Sequence, residues 1–220
     1  HCIISYIEES GRYRMFEISI VEYDGSKIER EQIENFRELS FKEGNDSLAY
    51  DKYDPDKTGQ TFLNYVDGKL ASLSVIEPSH YTGDPTVAAR GCRLHIATEF
   101  RPAWLGLLHA PKQIMWAKEN GFKVFFFTHD IRNRAINAMY QKRRFGGAVT
   151  ELQKQMEWMW TSDWYQELAL DRRLLFQVDE KSDLLQYVYY WTLEEGYIWK
   201  PPSNVVWYDH DGRIKSNVTE

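Results

Sequence analysis

Between residues 95 and 145 this chain of 220 residues gathers side chains suited to acid–base chemistry. His95 is the only side chain over residues 86–98 whose ordinary pKa lies near neutrality. Glu99 places a carboxylate just beyond it. Tyr140 is a phenol, protonated at pH 7 and able to donate, since its ordinary pKa is about 10. Arg132, Arg134, Lys142, Arg143 and Arg144 make the same stretch locally basic, as a phosphate site requires. Each has a plainer reading: a packed strand histidine, a solvated carboxylate, a core tyrosine at helical spacing from Ile136, and a solvated helix face. His80, His109, His129 and His210 are scattered without ligand spacing, and Cys2 and Cys92 lie far apart. Neither a metal site nor a disulfide framework is expected.

The elements that must position these groups follow from periodicity. Phe16, Ile18 and Ile20 alternate with polar residues, predicting a strand at 15–22, and Ile33, Phe36 and Leu39 recur at helical spacing over 29–43. A polar loop over 44–60 precedes two strands, 62–66 and 69–76, joined at Asp67-Gly68, a hairpin signal. A strand over about 89–98 leads to a helix that ends before Gly121, and Lys123–Thr128 is a short apolar strand. A helix over 130–143 and a strand over 150–160 complete a mixed α/β pattern around a central sheet.

Composition narrows the class. With 43% hydrophobic residues, 13 Gly and 7 Pro, collagen-like and disordered chains are excluded. Lys and Arg number 27 against 33 Asp and Glu, a formal net charge of −6, so a nucleic-acid partner is not expected. No apolar run nears the roughly 20 residues that span a bilayer. Ile3-Ile4 is too short for a signal sequence, so no membrane association and a cytoplasmic location are the expectations. Residues 1–14 read as a leader or remnant, and 15–160 as the main domain.

The segment from Phe100 to Phe145 resembles the acetyl-CoA half of the GCN5-related N-acetyltransferase (GNAT) superfamily. The likeness rests on a strand, a loop Arg101-Pro102-Ala103-Trp104-Leu105-Gly106, a helix ending at Asn120-Gly121, a buried strand, and a second helix carrying Asn133 and Tyr140 seven residues apart, then Phe145. The resemblance implies a mixed β-sheet flanked by helices, with the pantetheine arm laid between two splayed strands. It implies that backbone N–H groups at the helix start hold the pyrophosphate of coenzyme A. Arg101, Ala103, Trp104, Leu105 and Gly106 would form that loop, the backbone around His95 and Ile96 would hold the arm, and Asn133 would contact it. Tyr140 matches the acid that protonates the departing thiolate, with His95 or Glu99 as base. Trp104 stands at the first glycine of the loop and Arg144 at the glycine before Phe145, so the acetyl-CoA loop is degenerate.

Pro111 leaves two paths open. Either the helix begins at Pro111 as its first residue and residues 101–110 are a remodelled loop, or it begins earlier with the proline inside it. Residues 161–220 form an extension in which Ser162-Asp163 and Ser182-Asp183 can cap helices to about Phe176 and Gly196, with a last strand at Val205–Tyr208. Six of the eight Trp lie at or beyond Trp158, and Tyr187–Trp191 would be aromatic on every helical face, suiting a cover or a homodimer contact. The expected activity is acetyl-CoA-dependent transfer of an acyl group to a small-molecule or peptide amine. Acidic residues Glu43, Asp46, Asp51, Asp54, Asp56 and Asp84 in the variable loops hint at a cationic acceptor. The alternatives are a non-catalytic module used for assembly, and an acyltransferase whose pocket Trp104 reshapes for another carrier.

Overall fold

Strand alternation and one well-capped helix account for the first half of the chain. The structure, a computed structural model, describes residues 2–7, 13–79, 85–103, 106–130, 174–177, 185–198 and 206–208. These fall into two units. One holds the described residues up to 77 together with 91–103 and 106–116; the other holds 78–79, 85–90 and those from 117 onward.

In the first unit β1 (Cys2–Ile7), β2 (Tyr13–Glu22), β3 (Gln60–Val66) and β4 (Lys69–Pro78) run antiparallel in that order. β1 lies within the residues read from sequence as a leader. Its Ile and Tyr residues favour a strand, and Cys2–Ile7 pair with Tyr13–Ile18. The hairpin turn falls at Asp67-Gly68, where φ of 49° and 77° give the twist that two-residue turns need.

Helix α1 (Lys27–Lys42) starts two residues earlier than its periodicity suggested, because Ser26 caps it: the Ser26 hydroxyl accepts from the Glu29 N–H at 3.2 Å. Glu29 reaches back to accept from the Asp24 N–H at 3.0 Å. Ile33 and Phe36 bury against Leu63, Leu73 and Val75, with Leu48, Tyr53 and Ala97 closing the cluster. Residues 44–60 are more ordered than a polar loop suggests. Successive turns, such as Tyr53 N–H to the Ala49 carbonyl, put Leu48 and Tyr53 in the core. β4 therefore has two buried faces: Leu73 and Val75 meet α1, while Ser72 and Ser74 meet helix α2 (Gly106–Glu119). Strand β5 (Ala88–Ile96) and a 3₁₀ turn (Thr98–Ala103) lead into that helix.

In the second unit β6 (Val124–Asp130) pairs antiparallel with β8 (Leu185–Thr192), which pairs with β7 (Leu174–Gln177), itself paired with β9 (Val206–Tyr208). Two sequence expectations are corrected here. The helix expected over 182–196 is strand β8, and residues 174–176, expected to end a helix, begin β7. Tyr, Val, Trp and Thr favour the pleated state, and β8 is paired along both edges. Phe125 lies opposite Trp191 in the register, and their rings stand 5.5 Å apart. The extension thus supplies strands β7, β8 and β9, the expected last strand among them, and both edges of β8 are used within the chain. The helix expected at 130–143 and the strand at 150–160 lie outside the described residues, apart from Asp130, which ends β6. Among the described residues no helix is long and apolar enough to cross a membrane.

Candidate functional site

The end of β5 carries a knot of polar side chains drawn from three places in the sequence. His95 is buried, 3% exposed, with the Phe36 ring edge-on at 5.4 Å. The Asn45 amide nitrogen lies 2.9 Å from Nδ1 and Glu43 Oε2 lies 2.9 Å from Nε2. An amide nitrogen donates, so Nδ1 accepts and Nε2–H donates to the carboxylate: a neutral imidazole with both nitrogens engaged. Burial pushes its pKa down, outweighing the upward pull of Glu43.

Glu43, the C-cap residue of α1, is the centre of this knot. Its Oε1 accepts from the Thr98 N–H at 2.9 Å, and Arg101 Nη2 stands 3.7 Å from Oε2. Burial would raise the Glu43 carboxyl, but the Thr98 and His95 hydrogen bonds outweigh it and hold it below the ordinary range. Arg101 is exposed and donates from Nε to the Ile96 carbonyl at 3.3 Å. Within β5, Arg93 has a left-handed φ of 55°, rare for a residue with a side chain. Its guanidinium meets the Ser47 carbonyl at 3.5 Å and Glu77 at 3.6 Å, contacts that tie the irregularity to neighbouring segments.

The structure thus brings His95, Ile96 and Arg101 together. Glu99 it turns elsewhere, into an exposed ion pair with Lys69 at 2.5 Å. Ala103 ends the 3₁₀ turn, and Gly106 is the first residue of α2. Trp104, Leu105, Asn133 and Tyr140 lie outside the described residues. The choice that Pro111 left open is resolved at the backbone: α2 begins at Gly106, five residues ahead of the proline. The helix start therefore coincides with the end of the Arg101–Gly106 segment. Of the two paths, the observed one is the helix that begins earlier, with the proline inside it. Among the described residues no three His, Cys, Asp or Glu side chains are grouped to hold a metal.

Glu43 and Asn45 were not singled out from sequence as partners of His95. They lie about 50 residues from it, with no spacing to betray the contact. Their one signal was position, just before and after Gly44, which ends the helix.

No family model matches the sequence, and no curated protein matches it either. Solved structures do. An acetyltransferase of the GNAT family from Streptococcus pneumoniae superposes with a TM-score of 0.50 at 15% identity, over 81% of this chain and 100% of that one. An N-acetyltransferase from Staphylococcus aureus Mu50 gives 0.51 at 13% identity, over 81% and 99%. The yncA protein of Salmonella typhimurium, solved with its cofactor acetyl-CoA, gives 0.51 at 11% identity, over 84% and 98%. At such identities the likeness is one of architecture, and it agrees with the element order read along the chain: this protein has the fold of the GCN5-related N-acetyltransferases.

Proposed function

We propose that the protein is an acyltransferase that moves an acyl group from acetyl-CoA to an amine by direct attack. The observation that carries this reading is the start of α2 at Gly106 on the GNAT fold. The first four N–H groups of a helix have no partner within it and carry partial positive charge, so they suit a pyrophosphate. Gly106 leaves room for close approach, and Arg101, exposed before the helix, adds a full positive charge. Bound acetyl-CoA would supply the thioester.

The residues of this chain then have separable tasks. Arg101 and the first turn of α2 bind the phosphates. His95, neutral and doubly bonded, holds Glu43 rather than taking a proton. Glu43 fixes the backbone at Thr98 and adds negative charge at the end of β5. Asp46, Asp54 and Asp56 are paired with Lys52, Lys57 and Arg30, so the preference for a cationic amine rests on Glu43 and Asp51. Asn133 and Tyr140 keep the roles that the resemblance implies, contact with the cofactor arm and protonation of the thiolate; the ammonium gives one proton to solvent before it attacks, and the proton that the new amide nitrogen sheds restores the Tyr140 phenol.

The test is calorimetric titration of the full chain with acetyl-CoA, followed by thiol release in the presence of polyamines, aminoglycosides and N-terminal peptides. Saturable one-site binding, weakened in Arg101→Glu, is expected. Absence of binding at millimolar acetyl-CoA would overturn the reading, and Tyr140→Phe with unchanged turnover would remove the proposed acid.

A further inference from the structure

Pro111 lies inside α2 and has no N–H to offer the Leu107 carbonyl, so the first turns of the helix lack one of their hydrogen bonds. Two side chains flanking the proline bind β4 instead. His109, two residues before it, has Nε2 2.7 Å from Ser72 Oγ and Nδ1 2.6 Å from Ser74 Oγ. Gln113, two residues after it, donates from Nε2 to Ser74 Oγ at 3.1 Å and to the Val75 carbonyl at 3.0 Å. Ser72, Ser74, His109 and Gln113 are all buried.

Ser74 Oγ accepts from Gln113, and a neutral imidazole set between two hydroxyls donates from one ring nitrogen and accepts at the other. The imidazole is neutral, and burial pushes its pKa down to about 3. An apolar contact would have held α2 on β4 with less desolvation cost, as Leu73 and Val75 hold α1 on the other face. Hydrogen bonds add direction: they fix the rotation and depth of a helix, which apolar packing leaves looser.

We propose that His109, clamped by Ser72 and Ser74 and backed by Gln113, is a positioning residue. It sets the first turn of α2 so that the N–H groups from Gly106 onward are aligned for the pyrophosphate of coenzyme A. This rests on the acyltransferase reading above. The clamp substitutes for the helical hydrogen bond that Pro111 removes.

The experiment is calorimetric titration of acetyl-CoA into the full chain and four variants, well below their melting temperatures. His109→Phe and the double variant Ser72→Ala/Ser74→Ala should each bind about tenfold more weakly, while His109→Gln, which keeps a donor and an acceptor, should stay within about threefold. Asn64→Ala is the control, since Asn64 is the buried cross-strand partner of Ser72 and its amide has no hydrogen-bond partner. It exchanges an unpartnered buried amide for a small cavity beside the clamp and should leave affinity unchanged. Wild-type affinity in His109→Phe, no rescue by His109→Gln, or an equal loss in Asn64→Ala would overturn the inference alone. If His109→Phe does not fold, the serine double variant decides. Absence of binding to the wild type would overturn the acyltransferase reading and this inference together.

Discussion

Glu43 at the end of α1 accepts a 2.9 Å hydrogen bond from His95 Nε2 on β5, and the same carboxylate accepts from the Thr98 backbone N–H. One side chain thus joins a helix end, a strand and the 3₁₀ turn that leads to α2. Removing the imidazole leaves the Asn45 amide without its acceptor, strips Glu43 of a donor and opens a cavity beside Phe36. His95→Ala should therefore lose about 2–4 kcal/mol of stability in urea unfolding. Glu43→Gln keeps an acceptor for only one of the two donors and sets its NH2 against the other, so it should lose about 1–3 kcal/mol. A near-native midpoint in Glu43→Gln would show that these two hydrogen bonds do not hold the site.

Acid should weaken the fold through both buried histidines. The pKa of His95 is lowered, and that of His109 is pushed down to about 3, both from an ordinary 6.5. Below pH 6.5 the unfolded chain binds protons that the folded chain refuses, so this stability is complete above 6.5 and is lost as pH falls toward the folded values. Glu43, lowered from 4.5, acts in the same direction at lower pH. Urea midpoints should be level between pH 7 and 8. Below 6.5 each histidine should contribute a decline of up to about 1.4 kcal/mol per pH unit. His109→Gln should flatten part of the decline, and an unchanged slope in that variant would show that His109 does not contribute.

Gly59 should tolerate no side chain. Its φ of 50° is left-handed, and a Cβ there would stand 1.8 Å from the Ile76 carbonyl oxygen on β4. That oxygen is backbone in a paired strand and cannot swing aside. Gly59→Ala should cost at least about 3 kcal/mol, measured by urea unfolding or seen as loss of soluble protein. A near-native midpoint would mean that the end of the β3–β4 hairpin can open.

Arg37 should be replaceable only by something that is not simply another cation. It is 2% exposed, donating to Glu34 at 2.7 Å and to the Tyr53 carbonyl at 3.0 Å, with its guanidinium 4.1 Å from the Tyr50 ring centre. Lys offers neither the fork nor the flat face. Arg37→Lys should lose about 2–4 kcal/mol, whereas Arg37→Met, which buries no charge, should lose less. Equal losses would assign the contribution of Arg37 to packing alone.

Much of the frame was legible because it is local. The alternation at Phe16, Ile18 and Ile20, the Asp67-Gly68 turn and the spacing of Ile33 and Phe36 each specify their element within a few residues, and the structure has β2, the β3–β4 hairpin and α1 there. Tyr187–Trp191 misled because periodicity cannot tell an all-apolar helix from a covered strand, and Ser182-Asp183 resembled a cap. β-propensity was the better guide. The partners of His95 were illegible for a different reason: hydrogen bonds between Asn45, Glu43 and His95 are products of packing α1 against β5, and no sequence spacing encodes that. The same holds for His109, whose serine partners lie on a strand more than 30 residues away and which looked like one more scattered histidine.

Pro111→Ala should stabilise the protein, and the way it does so tests the clamp. An alanine N–H restores a hydrogen bond to the Leu107 carbonyl and relieves the ring's crowding of the preceding turn, together about 3 kcal/mol in a regular helix. Loss of the proline's restraint on the unfolded chain returns up to about 1 kcal/mol of that. A net gain of about 2–3 kcal/mol in urea unfolding is expected. With the backbone bond restored, α2 depends less on its side-chain anchors, so His109→Phe should cost less in a Pro111→Ala background than in the wild type. The coupling between the two positions, read from a double-mutant cycle, should be at least about 0.5 kcal/mol. Strict additivity would mean that the bond missing at Pro111 and the hydrogen bonds at His109 hold the helix independently.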